Sequence, residues 1–513
     1  MLLCEVASLR STRNTGEKMK KKVLIPNRGV VALDIIDSFK SIGFETILLH
    51  SPEDSNSLAV KLADRSFKFF SSRLEDSYND LESIMDTANE LEVDYIHPGY
   101  GFMAEEPEFS RECKKHGIKF IGPEPGVLEV VKDKVQLKKI AAEQGVETLK
   151  YSGPFKRPLD FGSIPNDFKF PWIIKPLKGF GGRRLRVVEY KKEAQEQISE
   201  MLKRKQHQKE GLFVEEFFPF GHHIEIPFFR DVYGNILFLP EIESSIQRRF
   251  QKIFQESPSI NISEELRQSL YLDSQKIIEA IHYIGLGYVE FIVDNDCAYF
   301  SEINPSFQIN TLMSEIHIIS NFIKKQFAIS NGELLHHVEG VEIVKPKHSV
   351  MLVSLMAENP FDNFQPSSGT VTEFYKYSTI RNIFKTHLYT GAQMSPLYDP
   401  YIGKICTFSS HRANTIKDMR NFLGNIIIKG VKTNLPFLRH LLTRDPLTRG
   451  ETIIDFLNLK CDFTKRKKAE EDIRIAGALL SAAFHIENKK KNYKAKLEKM
   501  KQPGFFNRLL NRL

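Results

Sequence analysis

Residues 288–306 read YVEFIVDNDCAYFSEINPS: Tyr288 to Asp294 and Cys297 to Asn304 are two apolar-rich strands around the turn signal Asn295-Asp296. If the hairpin folds about Asp296, Glu290 falls directly across from Glu302, and Asn304 continues along the same face. Like charges opposed on neighbouring strands destabilise a sheet. They become favourable when a hard divalent cation sits between them, and Mg²⁺ takes carboxylate oxygens together with substrate phosphates. Taken alone, the pair also fits a solvent-exposed acidic hairpin.

A second feature lies upstream. Lys175 ends a strand over 171–175, and Lys178-Gly179-Phe180-Gly181-Gly182-Arg183-Arg184 follows before a strand over 185–188. Glycines let backbone N–H groups approach phosphate oxygens, and a lysine supplies neutralising charge. The loop joins two strands, as a flap does, and is not a GxxxxGK[ST] loop opening a helix; an ordinary hairpin turn fits it equally. Lys134, within Val131-Lys132-Asp133-Lys134, would be a surface lysine in most sequences.

The flanking segments are of a different kind. Residues 22–27 are a buried strand, followed by a helix with Ala32, Ile35, Ile36 and Phe39 on one face and Gly43 closing it. Thr46–His50, Val93–His97 and Lys119–Ile121 repeat the short apolar strand between helical stretches. That alternation predicts a parallel α/β sheet whose working edge carries Asn27-Arg28-Gly29 and His97-Pro98-Gly99-Tyr100-Gly101. From about 134 to 340 the texture becomes mostly antiparallel, with a strand at 212–218 and a hairpin at Tyr233-Gly234-Asn235. Residues 341–463 are short strands and helices ending in an apolar helix.

Composition sets the limits. A chain of 513 residues exceeds what one core usually serves, so about two to four domains are expected. The net charge of +7 is mild and concentrated in the last fifty residues, which disfavours a nucleic-acid footprint. The five cysteines (Cys4, Cys113, Cys297, Cys406, Cys461) form no CxxC pair, which suits free thiols in a reducing cytoplasm. No apolar run approaches the ~20 residues of a transmembrane helix. Residues 1–18 are expected to be a disordered leader, with Met19 a candidate start.

Taken in order, IPNRGVVAL (25–33), IHPGYGFMAEE (96–106), FIGP (120–123), VKDKV (131–135), WIIKPLKGFGGRRLRVV (172–188), VEEFF (214–218), HHIEI (222–226), IQRRFQK (246–252), VEFIV (289–293), SEIN (301–304), YDPYIGK (398–404) and GVKTN (430–434) form one series. That series resembles the biotin carboxylase family, the ATP-grasp subunit of acetyl-CoA and acyl-CoA carboxylases. The resemblance implies a Rossmann-like α/β N-terminal (pre-ATP-grasp) domain over 19–133. It implies an α+β ATP-grasp domain over 134–340 with a flap about 148–217 and a biotin-carboxylase-type C-terminal domain over 341–463; beyond it, the residues over 464–513 read as a basic helical tail.

It also implies ATP and Mg²⁺ (or Mn²⁺) as cofactors. Lys134, Lys175, Gly181 and Gly182 would hold phosphates. Glu215, Glu216 and Phe218 would form the adenine hinge, with Glu216 in place of the family's lysine. His223 and Gln247 fall at further nucleotide positions, Ile292 and Val431 would close the adenine recess, and Glu290, Glu302 and Asn304 would take the metal. For carboxylation, Lys252 and Arg248 remain, with Arg249 and Tyr100 nearby.

The resemblance fails elsewhere. Ser306 stands where it expects a bicarbonate-binding arginine, and Asn310 where it expects the base; a neutral amide accepts no proton at pH 7. HSVMLVSLMAENP (348–360) offers only Val353 or Ser354 where a biotin-side arginine belongs, and Phe250 replaces a histidine. Lys178, Phe180 and Arg184 fill flap positions normally glycine.

No biotin-attachment motif occurs around Lys499-Met500-Lys501, so biotin would arrive on a separate carrier protein, with carboxyltransferase subunits as further partners and a homodimer or hetero-oligomer as the assembly. Three functions stay open: the carboxylating component of a carboxylase, a ligase for a different carboxylate, or a non-catalytic nucleotide-binding partner of an active paralogue. The tail's Ala476, Leu479, Leu480, Ala483 and Phe484 suggest an amphipathic helix.

Overall fold

Val23, Leu24 and Ile25 are fully buried because their strand, β1 (Lys22–Ile25), lies in the middle of a parallel sheet. Its neighbours are β2 (Glu45–His50), β3 (Arg65–Lys68), β4 (Tyr95–Ile96) and β5 (Lys119–Phe120), in the order β3-β2-β1-β4-β5. The order reverses between β1 and β4, so the loops after these strands splay apart and leave a crevice at their C-terminal ends. The structure is a computed structural model and describes residues 20–157, 164, 168–177, 185–335, 338–377, 379–395, 397–461, 463, 481, 485 and 487. The expected leader, Gly181 and Gly182 with most of their loop, and the tail beyond 464 apart from its three described positions lie outside these residues.

The loops at the crevice are fixed by Asn27, whose side-chain amide donates to the carbonyls of Pro98 (2.7 Å) and Tyr100 (3.0 Å). Gly99 must be glycine. Its φ is +73°, and a Cβ there would sit 2.7 Å from Val31 and 2.8 Å from Asn27. The helix Gly29–Lys40 then buries Ile35 and Phe39 in one cluster with Phe229, Leu286 and Phe322, docking the parallel sheet on the next layer.

That layer is a ten-stranded sheet. Its path is β15 (Cys297–Asn304), β14 (Gly285–Asp294), β10 (His222–Arg230), β12 (Ile242–Arg248), β13 (Gln251–Ser257), β17 (Ser349–Met356), then Tyr401–Ser409 and Asn382–Thr386. β11 (Ile236–Phe238) flanks β10 and pairs in parallel with β16 (Val341–Ile343). The flap is a four-stranded antiparallel sheet, β6 (Tyr151–Phe155), β9 (Leu212–Glu216), β7 (Trp172–Pro176) and β8 (Arg186–Val188), with its own core around Trp172 and Ile198.

The expected division at 340/341 is not a sheet boundary. β13 would present an open edge, and β17 covers it through pairs such as Phe254 with Val353. The described residues up to 457 form one compact unit; those from 458 fall in a second.

Arg28, at the crevice, donates from Nε to Asp54 Oδ2 (2.8 Å) and from Nη2 to Asp54 Oδ1 (2.9 Å), and it pairs with Asp399 at 3.2 Å. Tyr78 also donates to Asp54 at 2.7 Å. Burial alone would raise the Asp54 carboxyl, but the Arg28 charge dominates and holds it below the usual carboxylate range. The unfolded chain therefore takes up protons first as pH falls, so this stabilisation is complete at neutral pH and lost through the acid range. Asp54→Ala should cost about 3–5 kcal/mol at pH 7, because it strands a buried guanidinium. Urea unfolding should show that cost shrinking as pH is lowered; an unchanged midpoint at pH 7 refutes the assignment.

Candidate active site

The hairpin of β14 and β15 turns at Asn295-Asp296, both at positive φ (47° and 60°). This is the two-residue geometry that matches strand twist and that Asn and Asp tolerate. Its closing pair is Asp294 with Cys297, a register that by itself would set Glu290 against Ser301. An irregularity after Glu290 shifts the pairing by one residue, so Glu290 faces Glu302 and Tyr288 faces Asn304. The expected opposition of the two acids is present, produced by a bulge and not by a turn centred on Asp296.

β10 extends the row, because Glu225 pairs with Glu290 on its other side. Three carboxylates thus lie abreast on adjacent strands, each compensated. Lys252 Nζ bridges Glu225 and Glu290, both at 2.7 Å. Lys134 pairs with Glu302. His223 Nε2 lies 2.8 Å from Glu290, while its Nδ1 receives the Gln247 amide at 2.9 Å, which leaves the ring proton on Nε2 to donate. Asn304 donates to Glu290 at 2.6 Å. Burial opposes ionisation of Glu290, yet Lys252 and His223 draw its carboxyl well below the usual range. Glu302 is drawn down against its burial by Lys134.

A second charge cluster stands opposite. Lys175 lies on β7, and its Nζ is 2.5 Å from Glu215 Oε2; Lys138 Nζ is 2.9 Å from Oε1. Glu215 is 0% exposed and Lys138 1%. Burial would raise the Glu215 carboxyl, but two ammonium groups outweigh it and pull the carboxyl to about 2. Lys138 is absent from the sequence-based set, although it sits four residues after Lys134 on the helix Lys134–Glu143 and so shares its face.

Lys134, Lys175, Glu215, Lys252, Glu290 and Glu302, though not Glu225 or Lys138, line a cleft of about 680 Å³, the size of a nucleotide-scale ligand site. Its apolar part includes Ile292, Phe217 and Phe218, with Phe218 stacked on Tyr299 at 5.5 Å. The expected closure by Val431 is not found: Val431 packs beside Gly369, and Ile454, whose N–H bonds to the Gly221 carbonyl, takes the lining position. The local sequence at 454 resembles no site, so only the chain's return from the C-terminal region reveals it. Glu215 and Glu216 reach the cleft, but the Glu215 side chain belongs to the lysines and Glu216 accepts the Lys169 N–H at 3.0 Å.

Known proteins share this arrangement. Residues 19–128 match the biotin carboxylase N-terminal domain, 133–338 the ATP-binding domain of the carbamoyl-phosphate synthase L chain, and 353–459 the biotin carboxylase C-terminal domain. Biotin carboxylase 1 of Bacillus subtilis is 32% identical over 449 residues, covering 86% of this chain and 98% of the relative. The chain belongs to the biotin carboxylase family. The biotin carboxylase of Haemophilus influenzae is also 32% identical, over 447 residues, covering 86% of this chain and 99% of that one. The biotin carboxylase domain dimer of Hydrogenobacter thermophilus 2-oxoglutarate carboxylase, crystallised with MgADP, ADP and bicarbonate, superposes with a TM-score of 0.81 at 30% identity. It covers 86% of this chain and 98% of that structure.

Against that family pattern, the second half of the cleft is altered. Lys252 and Asn310 line it, but Arg248 does not: it is committed to Glu358 and lies over the Phe364 ring at 4.3 Å. Its expected place in the reaction is therefore corrected to a structural one, since burial already disfavours its charge and Glu358 supplies the counter-ion. Asn310 donates to Glu225 at 3.0 Å, and of the two candidates Val353 and Ser354, Ser354 lines the cleft. Every lysine and arginine among the described lining residues already has a carboxylate partner: Arg28, Lys132, Lys134, Lys175 and Lys252. Among the described residues no group of three or more His, Cys, Asp or Glu side chains is arranged to hold a metal unaided. Two glutamates and an asparagine therefore fit Mg²⁺ only with phosphate oxygens completing its shell.

Glu215→Gln should destabilise the chain by about 3–5 kcal/mol in urea unfolding, because a buried and a half-buried ammonium group lose their anion. Adding Lys138→Met should recover part of that loss. Simple additivity of the two substitutions would show that the pair is not coupled.

Proposed function

We propose that this chain binds MgATP in the cleft and acts as the ATP-dependent biotin-carboxylating subunit of a carboxylase, with a bicarbonate step slower than the family pattern provides. The observation that carries the nucleotide reading is the row Glu225-Glu290-Glu302, with Lys134 and Lys252 upon it and Lys175 opposite. Setting three acids abreast, two of them buried, is costly for folding alone, and it suits a site that exchanges lysine partners for a metal-bound triphosphate.

Glu290, Glu302 and Asn304 are the oxygen donors that would hold Mg²⁺, and the bound ion would neutralise phosphate charge. Lys134 and Lys175 supply ammonium groups for the phosphates, with Gly181 and Gly182 as backbone donors. His223 and Gln247 keep Glu290 ionised and oriented, Phe218, Ile292 and Ile454 enclose the base, and Lys252 is the cation nearest the bicarbonate pocket. The domain limits we assign are 19–133, 134–340 and 341–463. Biotin would come on a carrier protein, with carboxyltransferase on another chain, and a homodimer is the expected assembly. No described helix is long and apolar enough to cross a membrane; among the described residues the free thiols of Cys113, Cys297 and Cys406 suit the cytoplasm.

A second reading, a nucleotide-binding partner without turnover, is favoured by Ser306, Asn310, Ser354 and the diversion of Arg248. Calorimetric titration with MgATP should give saturable binding that Lys175→Met weakens about 10- to 100-fold, the worth of one charge-assisted hydrogen bond of about 1.5–3 kcal/mol. Absence of binding ends both readings. ATP turnover stimulated by bicarbonate and free biotin supports the first reading; binding without turnover leaves the second.

A further inference from the structure

The family's base is an amide here, and yet the cleft contains a carboxylate placed to do its work. Glu105, in the loop after β4, lines the cleft and is half-buried. Its Oε1 accepts from the Ser306 hydroxyl at 2.9 Å, and that hydroxyl accepts in turn from the Gln308 amide at 3.1 Å. Gln308 thereby fixes the Ser306 proton toward Glu105. Oε2 has no hydrogen bond among the described residues, and Glu105 forms no ion pair among them. One oxygen is tethered and the other left free, the arrangement a proton acceptor requires. Ser306 itself is buried at 3% exposure, so it supports Glu105 from behind without occupying the cleft. Asn310 also lines the cleft, and its buried Oδ1 has no hydrogen-bond partner among the described residues.

We propose that Glu105 is the general base of this site, taking over from the amide at 310. The proposal rests on the MgATP reading above. In the step, the free Glu105 oxygen removes the proton from the O–H of the bound acceptor, for which bicarbonate is the probe. The acceptor oxygen forms a bond to the γ-phosphorus, the bond from that phosphorus to the β–γ bridging oxygen breaks, and ADP leaves with the electron pair. The proton stays on Glu105. The charged and titratable groups facing Glu105 are Lys134, Glu302, Glu106 and the Tyr283 phenol. Burial, relieved in part by Ser306 and reinforced by Glu302, raises the Glu105 carboxyl to about 7.

The test compares the full chain with Glu105→Gln, which keeps the shape and the Ser306 hydrogen bond, in MgATP turnover with bicarbonate and free biotin. Loss of a base predicts a fall in kcat of about 10²–10⁴-fold with the calorimetric MgATP affinity unchanged. A second variant, Ser306→Arg, places a cation beside Glu105 and should move the acid limb of the pH–kcat profile to lower pH without abolishing turnover. Turnover by Glu105→Gln within about threefold of the unaltered chain, well short of the loss of a base, overturns the proposal, as does an acid limb unmoved in Ser306→Arg. An unaltered chain that binds MgATP but never turns it over overturns it too, leaving the nucleotide reading intact. Failure to bind MgATP removes both.

Discussion

Three carboxylates side by side in one sheet, Glu225 and Glu290 buried and Glu302 half-buried, are the constraint from which the rest of the site follows. Glu225, Glu290 and Glu302 occupy adjacent strands in register, and their mutual repulsion in a poorly solvated cleft must be met by cations brought from elsewhere. Lys252 comes from β13, Lys134 from a helix start, and His223 from β10 itself. The ten-stranded sheet delivers Lys252 and His223, and the helix at 134–143 delivers Lys134.

The same accounting explains why the two halves of the cleft differ in character. On the nucleotide side, charges come as exchangeable pairs: an ammonium can leave a carboxylate for a phosphate, and a divalent ion can take its place, with little net change in buried charge. On the other side, Gln308, Asn310 and Ser354 present neutral hydrogen-bonding groups, and the only lysine there among the described residues is shared between two glutamates. Such a wall holds an anion weakly, since the cost of desolvating it would not be offset by a free cation. The absence of an arginine at 306 also leaves Glu105 without a cationic neighbour at that position, so one residue alters both the anion pocket and the acid–base character of its surroundings.

Much of the candidate site is legible from local pattern. Alternating apolar residues around Asn295-Asp296 imply the hairpin, and its opposed acids suggest a metal before any fold is known. That reading has the pair right and its cause incomplete, since the bulge beyond Glu290 is decided by how β14 and β15 fit a twisted sheet. Lys138 is invisible to it because a lysine among Leu137 and Ala141 looks like a helix-surface residue until Glu215 is placed beside it. Val431 and Arg248 follow only from position along the chain, and position alone does not say which way a side chain is drawn.

What the sequence determined by itself is the family, the three-part order of its segments, the candidate phosphate and metal ligands, and the absence of arginine and base at 306 and 310. These depend on residue type and local spacing, which the chain carries directly. Tertiary structure alone decided that β17 continues the central sheet, that Ile454 and not Val431 lines the recess, that Arg248 is held by Glu358, and that Glu105 meets Ser306, 201 positions further along the chain. Each of those outcomes is a competition for a partner among groups far apart in sequence, settled by burial and charge only once the chain has closed on itself.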